Sequence, residues 1–300
     1  MSTQEKPRRS KRARTRPAGK TATESFKAMD QRSSTGVQSV QLAIDVLEAV
    51  AFSGEELGVT QLAERLHVTK GSVHRHLTTL VDRGYLAQNP ITTRYSLGPK
   101  SRLLARIAPD IDLVQVAEGP MRALRDELGH SVVLSASTPR GALVLTTVPG
   151  ISPIEIGVRT GSELALHASA QGRVMLAHAS RPTQDRVLAQ PLTRLTSRTM
   201  VEPRQLQSEL ARILRQGYAS APEQALLGIN AVAVPVFDAT DKCVACITVV
   251  GSIQILPAQP DARTIAALKL AAEQISHRLG HAKAASVPVA QPTSRRHRAG

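Results

Sequence analysis

From Ser39 to Leu97 the chain carries three helical registers too short to stand alone and then a hairpin, a succession that few folds accommodate. Val40, Ala43, Ile44, Leu47, Val50 and Ala51 recur at three and four, the period of one buried helix face, with an end near Gly54. Thr60 stands where an N-cap belongs, ahead of a second helix of barely two turns with Leu62, Ala63 and Leu66 as its buried positions. Thr69 can cap a third helix bearing Val73, Leu77, Leu80 and Val81 on one face. Small Ala63 permits a close crossing, and Val68 and Val73 fill the corner. His67 takes the turn position where the backbone tends to positive φ, a region that His tolerates better than most side chains. Two short helices joined by a tight turn predict a helix-turn-helix. Gly84 stops the third helix, and residues 85–88, a turn over 89–93 and residues 94–97 predict a hairpin, which makes the unit a winged helix.

Opposite its apolar stripe the third helix shows Gly71, Ser72, Arg75, Thr78 and Thr79, flanked by His74 and His76, with Lys70 at its N-terminal end. This face would enter a major groove. Arg75 can fork to a guanine, Ser72 and Thr79 can meet a base edge or a phosphate, and Lys70 suits a phosphate; Thr92, Thr93 and Arg94 lie near the wing tip. On an isolated helix such a face would be ordinary solvated surface, and only the winged-helix context turns it toward DNA. The DNA-binding candidates are therefore Lys70, Gly71, Ser72, His74, Arg75, Thr78, Thr79 and Arg94.

Charge agrees on the partner but not on its location. The chain has 38 Lys+Arg against 24 Asp+Glu, a net +14, which favours a polyanion, nucleic acid ahead of an anionic membrane. Yet residues 37–98 hold only Arg65, Lys70, Arg75, Arg83 and Arg94 against six acids. Half of the excess, +7, sits in residues 1–32, and +3 more in residues 285–300. Both ends have too few large apolar residues to offset the cost of ordering, so 1–36 is expected to be a disordered basic arm and 283–300 a disordered tail. Composition fits a solubilising arm as well as one that contacts phosphates. An aromatic content of 2% with no Trp argues against stacking platforms for single strands. No apolar run of about 18 residues predicts a membrane span, and residues 1–17 lack the apolar core of a signal peptide. Two cysteines, Cys243 and Cys246, make no disulfide framework, so a cytoplasmic, reducing home is expected.

Beyond the hairpin, residues 98–107 read as a linker helix and 113–128 as an amphipathic helix ending at Gly129. Residues 131–137, 141–148 and 154–158 read as strands, 168–179 and 203–216 as helices, 229–237 and 243–250 as a hairpin, and 262–279 as a closing helix. Strands joined by hairpins and flanked by helices predict an antiparallel sheet covered by helices, hence an α+β chain. In order along it, VQSVQLAIDVLEAV at 37–50, VTKGSVHRHLTTLVDRGYLAQ at 68–88, RYSLG at 94–98, LHASAQGRVMLA at 166–177, RQGYA at 215–219 and GINAVAVPVFD at 228–238 resemble the IclR family of bacterial transcriptional regulators. The resemblance spans residues 37–280. It implies a winged helix-turn-helix DNA-binding domain (37–98), a linker helix (99–112) and a GAF-like antiparallel-sheet effector-binding domain (113–282). It also implies double-stranded DNA with a pseudo-palindromic operator, a small organic effector, no cofactor, and dimers through the readers or tetramers through the sensors.

The resemblance places the effector against Leu164, Ala170, Gln171, Ala221, Glu223, Ala231, Thr248 and Val250, and Asn230 is added to the candidates as an orienting group. This chain departs from the family where a carboxylate is common at Ala221, a cysteine at Ala231 and a serine at Val250. A site stripped of those groups should take an aromatic or partly apolar metabolite, because a small polar acid would lose partners worth about 1–3 kcal/mol each. Gln171, Glu223, Asn230 and Thr248 would orient it. An enzyme is disfavoured: Ser169 near His167, with His178 further on, lacks a G-x-S-x-G elbow, and His167 is expected to hydrogen-bond at the start of its helix. Cys243 and Cys246 have C-x-x-C spacing, but residues three apart on a strand face opposite ways. They read as buried small hydrophobes without a metal, a redox-responsive regulator being the alternative. A non-specific architectural DNA binder using the basic arms is the other.

Overall fold

The computed structural model describes residues 36–107, 112–153 and 156–281, so the arm and tail expected at 1–36 and 283–300 fall, apart from residue 36, outside the described residues. The reader comprises α1 (Gln38–Ala51), α2 (Val59–Leu66), α3 (Lys70–Asp82), β1 (Leu86–Gln88) and β2 (Tyr95–Leu97). Val46, Val50, Leu57, Leu62, Val73, Leu77, Leu86 and Tyr95 form its core. His67 adopts φ 56°, which lets the chain reverse between α2 and α3 while the Val68 N–H reaches the Ala63 carbonyl at 3.1 Å. Thr69 caps α3, its Oγ1 accepting the Ser72 N–H at 3.3 Å.

Two local expectations fail here. α2 begins at Val59 with Gly58 as its cap residue, not Thr60, because the Gln61 Oε1 reaches back to the Gly58 N–H at 3.0 Å. The stripe of α1 is also rotated: Val46, Ala49 and Val50 are buried, whereas Val40 and Ile44 remain 54% and 48% exposed.

The wing is fastened to the chain ahead of α2. Leu57 bridges to Tyr95, and the Glu56 carboxylate accepts from Asn89 Nδ2 at 3.2 Å and Thr92 Oγ1 at 3.0 Å. The linker helix, α4 (Pro99–Ile107), is joined to the wing base. Gly98 donates to the Tyr85 carbonyl at 2.8 Å, and Ser101 Oγ donates to the same oxygen at 2.7 Å. A Cβ at Gly98 would stand 2.4 Å from the Gly84 carbonyl oxygen, so only glycine permits this approach.

The sensor comprises α5 (Leu113–Leu128), β3 (Ser131–Ser137), β4 (Ala142–Val148), β5 (Glu163–Leu164), α6 (Ala170–Ala177), α7 (Arg181–Leu188), α8 (Pro203–Gln216), β6 (Ala219–Ser220), β7 (Ile229–Phe237), β8 (Cys243–Ser252) and α9 (Ala262–Arg278). Its six strands run antiparallel in the order β5-β4-β3-β8-β7-β6. One face, with Val132, Leu134, Val232, Val234, Ile247 and Val249, meets Met121 and Leu124 of α5 and Leu268 and Ile275 of α9. Full burial of each such side chain contributes about 1.5–3 kcal/mol. The other face lies toward α6 and α8, through Ala142, Ala233 and Cys246 on the sheet and Val174, Leu206, Leu210 and Ile213 on the helices.

The strand expected at 154–158 does not form: 156–158 lie outside any strand, and 154 and 155 are outside the described residues. Ile156 and Val158 still pack against Val133, Val144 and Val250, so their alternation reports burial without ladder pairing. The edge position belongs to β5, with Ala142 opposite Leu164.

A second departure concerns the cysteines. The β7–β8 register shifts between Val236 and Phe237, which pair with Ala245 and Cys243, so Val244 is an extra residue. Val244 and Ala245 both join the α5/α9 side, and Cys243 and Cys246 both join the α6/α8 side. The expected opposition of the two thiols is thereby reversed.

Candidate DNA interface and effector site

α3 presents Lys70, Gly71, His74, Arg75, Thr78 and Thr79 to solvent, with Ser72 partly buried beside its cap. Thr78 and Thr79 donate their hydroxyl hydrogens to the His74 and Arg75 carbonyls, both at 3.0 Å, which fixes the oxygens as outward acceptors. Neither Lys70 nor Arg75 forms an ion pair among the described residues, so both cations are available. Arg94 is tethered, one guanidinium N–H reaching the Glu56 carbonyl at 3.1 Å, which sets its direction at the wing.

In the sensor, strand parity decides which residues meet. Pairings of Ser135 with Cys246, Val133 with Thr248, Ala233 with Thr248 and Ala231 with Val250 put these side chains on the face covered by α6. Ala170 and Gln171 open that helix, and Ser169 caps it, accepting the Gly172 N–H at 3.1 Å. Leu164 packs against the same face, and Ala221 joins the cluster below α6.

Three atoms on this side have no hydrogen-bond partner among the described residues: Ser135 Oγ, Gln171 Oε1 and Thr248 Oγ1. Their residues are at most 1% exposed. An unpaired buried polar group costs about 1–3 kcal/mol, and cores rarely carry three together unless something else completes them. Val133, Val144, Val250 and Ala231 pack together on the same sheet face as Ser135 and Thr248, so this face is mostly apolar with a few polar groups. Ser135 was not among the expected site residues; its signal was a lone hydroxyl inside the run Val132-Val133-Leu134-Ser135, in phase with Val133.

Asn230 does not share this face. It lies one residue before Ala231 and therefore on the opposite sheet face, beside Val232. Its Nδ2 donates to the Leu256 carbonyl at 3.2 Å and the Pro257 carbonyl at 2.8 Å, and its Oδ1 accepts the Ala231 N–H, so its amide fastens the loop after β8. Glu223 is a loop fastener as well as a neighbour of Ala221. It adopts φ 57°, its Oε1 accepts the Gly228 N–H at 3.0 Å and its carbonyl accepts Thr196 Oγ1 at 2.6 Å.

His167 and Ser169 are engaged structurally. His167 Nε2 meets the Thr193 carbonyl at 2.8 Å, and Ser169 Oγ donates to the Ala165 carbonyl at 2.8 Å. Arg173 of α6 is buried, with Nε on the His167 carbonyl at 2.7 Å and a second nitrogen on Gln224 Oε1. Burial lowers its pKa to about 10, with Glu209 opposing, so it stays cationic at neutral pH and pins α6 to the 224 loop. Among the described residues no group of three His, Cys, Asp or Glu could hold a metal, and no helix is long and apolar enough to cross a membrane.

Reader and sensor touch near β5. The Phe52 ring lies so close to Gly161 that a Cβ there would stand 2.6 Å from it. Two residues on, Glu163 binds Arg140 at 2.6 Å and Thr138 at 2.8 Å, and the charge of Arg140 also acts on Glu48 of α1.

A winged helix with a free cationic reading face, fused to a sensor whose buried face carries unmatched polar groups, defines a transcriptional regulator that joins DNA binding to recognition of a small effector. Residues 39–90 match the IclR helix-turn-helix domain and residues 105–277 the bacterial transcriptional regulator IclR C-terminal domain. The chain belongs to the IclR family of DNA-binding transcriptional regulators. It is 29% identical over 265 residues to the HTH-type transcriptional regulator BhcR of Paracoccus denitrificans, covering 87% of this chain and 93% of that protein. An IclR transcriptional regulator from Alicyclobacillus acidocaldarius superposes with a TM-score of 0.65 at 28% identity, over 81% of this chain and 98% of that one. An IclR homologue from Microbacterium hydrocarbonoxydans, solved in complex with 4-hydroxybenzoate, gives 0.67 at 25% identity, over 80% and 98%.

Proposed function

We propose that this regulator recognises a pseudo-palindromic operator as a homodimer or homotetramer and is controlled by an aromatic or partly apolar metabolite bound beneath α6. Lys70, Gly71, Ser72, His74, Arg75, Thr78 and Thr79 of α3 read one half-site, and Arg94 contacts flanking phosphate. Leu164, Ala170, Ala221, Ala231 and Val250 give the effector its apolar bed, Gln171 and Thr248, joined by Ser135, hold its polar end, and Glu223 shapes the adjoining loop. The observation that carries this reading is the trio of unpartnered buried atoms in an otherwise apolar face. The aromatic acid bound by the Microbacterium homologue is of the same chemical kind.

The joint at Gly98 and the start of α5 at Leu113 support domain limits of 37–98, 99–112 and 113–282. Exposed Val37, Val40 and Ile44 around α1, with Leu103, Leu104 and Ile107 on α4, support self-association of the reader. The protein acts in the cytoplasm and catalyses no reaction. Effector binding shifts β5, and the contact of Phe52 with Gly161 passes that shift to α1, for a coupling of about 1–3 kcal/mol.

Selection of operators from random DNA at physiological salt, with the wild type and Arg75→Ala, tests the reader. The wild type should yield a pseudo-palindrome and the variant should lose about 1–3 kcal/mol at one base position; uniform loss across all sequences would make Arg75 a phosphate contact. Calorimetric titration tests the sensor, where tighter binding of two- and three-carbon acids than of aromatic acids would overturn the effector class.

A further inference from the structure

The bulge in β8 gives the two cysteines a relation that their spacing conceals. Cys243 pairs with Phe237 and Cys246 with Pro235, two residues apart on one face of β7, so both thiols emerge on the same side. Both join the cluster beneath α6 and α8. Cys243 is half-buried and Cys246 fully buried, and the Cys246 thiol donates to the Gln171 carbonyl at 3.7 Å. We propose that Cys243 and Cys246 form a dithiol that closes to an intramolecular disulfide on exposure to a hydroperoxide, making the start of β8 an oxidation site.

The asymmetry of the pair assigns the order of events. The neighbouring Cys246 side chain lowers the Cys243 pKa, whereas complete burial pushes Cys246 well up. Cys243 is therefore the more reachable sulfur and the better source of thiolate, the form that attacks a peroxide. Its sulfur takes one oxygen of hydrogen peroxide, the O–O bond breaks, and hydroxide leaves; Cys243 becomes a sulfenic acid. The Cys246 sulfur then displaces the sulfenic oxygen, which departs as water with the Cys246 proton, and the S–S bond forms. Two thiols and one peroxide thus yield one disulfide and two waters. Closure withdraws the Cys246 hydrogen from the Gln171 carbonyl, so the oxidised state reaches the first turn of α6.

The test uses full-length protein and hydrogen peroxide, and its readout does not depend on DNA or effector. Both cysteines fall in the tryptic peptide 243–263, between Lys242 and Arg263. Without reductant this peptide should become about 2 Da lighter, lose both sites of alkylation together, and regain both with dithiothreitol. Cys246→Ala should abolish the lighter species and leave Cys243 as a sulfenic acid trapped by dimedone, and Cys243→Ser should leave Cys246 an unreacted thiol. Accumulation of Cys243 sulfinic acid beside an alkylatable Cys246, or an unchanged wild-type peptide under peroxide that oxidises a free peptide dithiol, would overturn the proposal. The wild-type measurement alone decides, even if a variant fails to fold.

Discussion

Thr248 offers the sharpest separation of a binding group from a structural one. Its side chain is fully buried on β8, its Oγ1 has no partner among the described residues, and Val133 and Ala233 flank it across the sheet. Thr248→Val keeps the branched shape and removes only the hydroxyl. If that hydroxyl is unmatched in the free protein, its removal should stabilise by about 1–3 kcal/mol, contrary to the usual sign of a core substitution. For a domain of this size one kcal/mol moves Tm by roughly 2–4 °C, so a rise of about 2–12 °C is expected in thermal unfolding without ligand. Effector affinity should fall by the hydrogen bond lost, roughly 5- to 150-fold by calorimetry. A gain in stability purchased with lost binding is the signature of a site residue. A fall in Tm with unchanged affinity would refute the argument, showing that the hydroxyl serves the folded scaffold.

Asn230 should behave oppositely. Asn230→Ala leaves the Leu256 and Pro257 carbonyls and the Ala231 N–H without their partner, a loss of about 3 kcal/mol or more that lowers the urea midpoint. Effector affinity of the remaining folded protein should change little; a selective loss of binding at full stability would return Asn230 to the site. His178 sets a pH dependence. Burial lowers its pKa below the ordinary 6.5, so unfolding takes up a proton, and its contribution is intact above 6.5 and declines as pH falls from there through the lower folded value. His178→Gln should lose less stability than the wild type between about pH 7.5 and 5.5 in denaturant titrations. His130 shifts the same way, again by burial with Asp261 opposing, so a part of the wild-type decline should persist in that variant.

The parts legible in the sequence are those fixed by near neighbours. Thr69, His67 and Gly84 are cap, turn and stop by their own chemistry, and each does that work in the reader. α8 was readable to the residue, because Leu206, Leu210 and Ile213 hold one face between Pro203 and Gly217. α7 buries no residue and leaves no periodic trace, and β6 is two residues long. The face of α1 misled because Val40 and Ile44 are as apolar as core residues while facing outward; composition does not distinguish a core from a surface meant for a partner. Asn230 and Ala231 could not both line one face, since adjacent strand residues alternate, and parity alone was enough to reject the pair. The cysteines show the converse limit. Parity set them apart, and a bulge visible only through the partner strand brought them together.

These outcomes share a physical basis in the two faces of one sheet. Toward α5 and α9 nearly every inward position is Val, Ile, Leu or Ala, and Asn230 has its amide bonded on that side. That face can be optimised for burial without constraint. Toward α6 the same strands carry Ser135, Cys246 and Thr248, groups that cost stability in an apolar setting and are not all satisfied by the protein itself. Alternation along β3 and β8 thus lets a single strand contribute stability with one set of residues and recognition with the next. It follows that substitutions at Ile247 and Val249 should be felt in unfolding, and substitutions at Cys246 and Thr248 in what the sensor answers to, although the residues are adjacent in the chain.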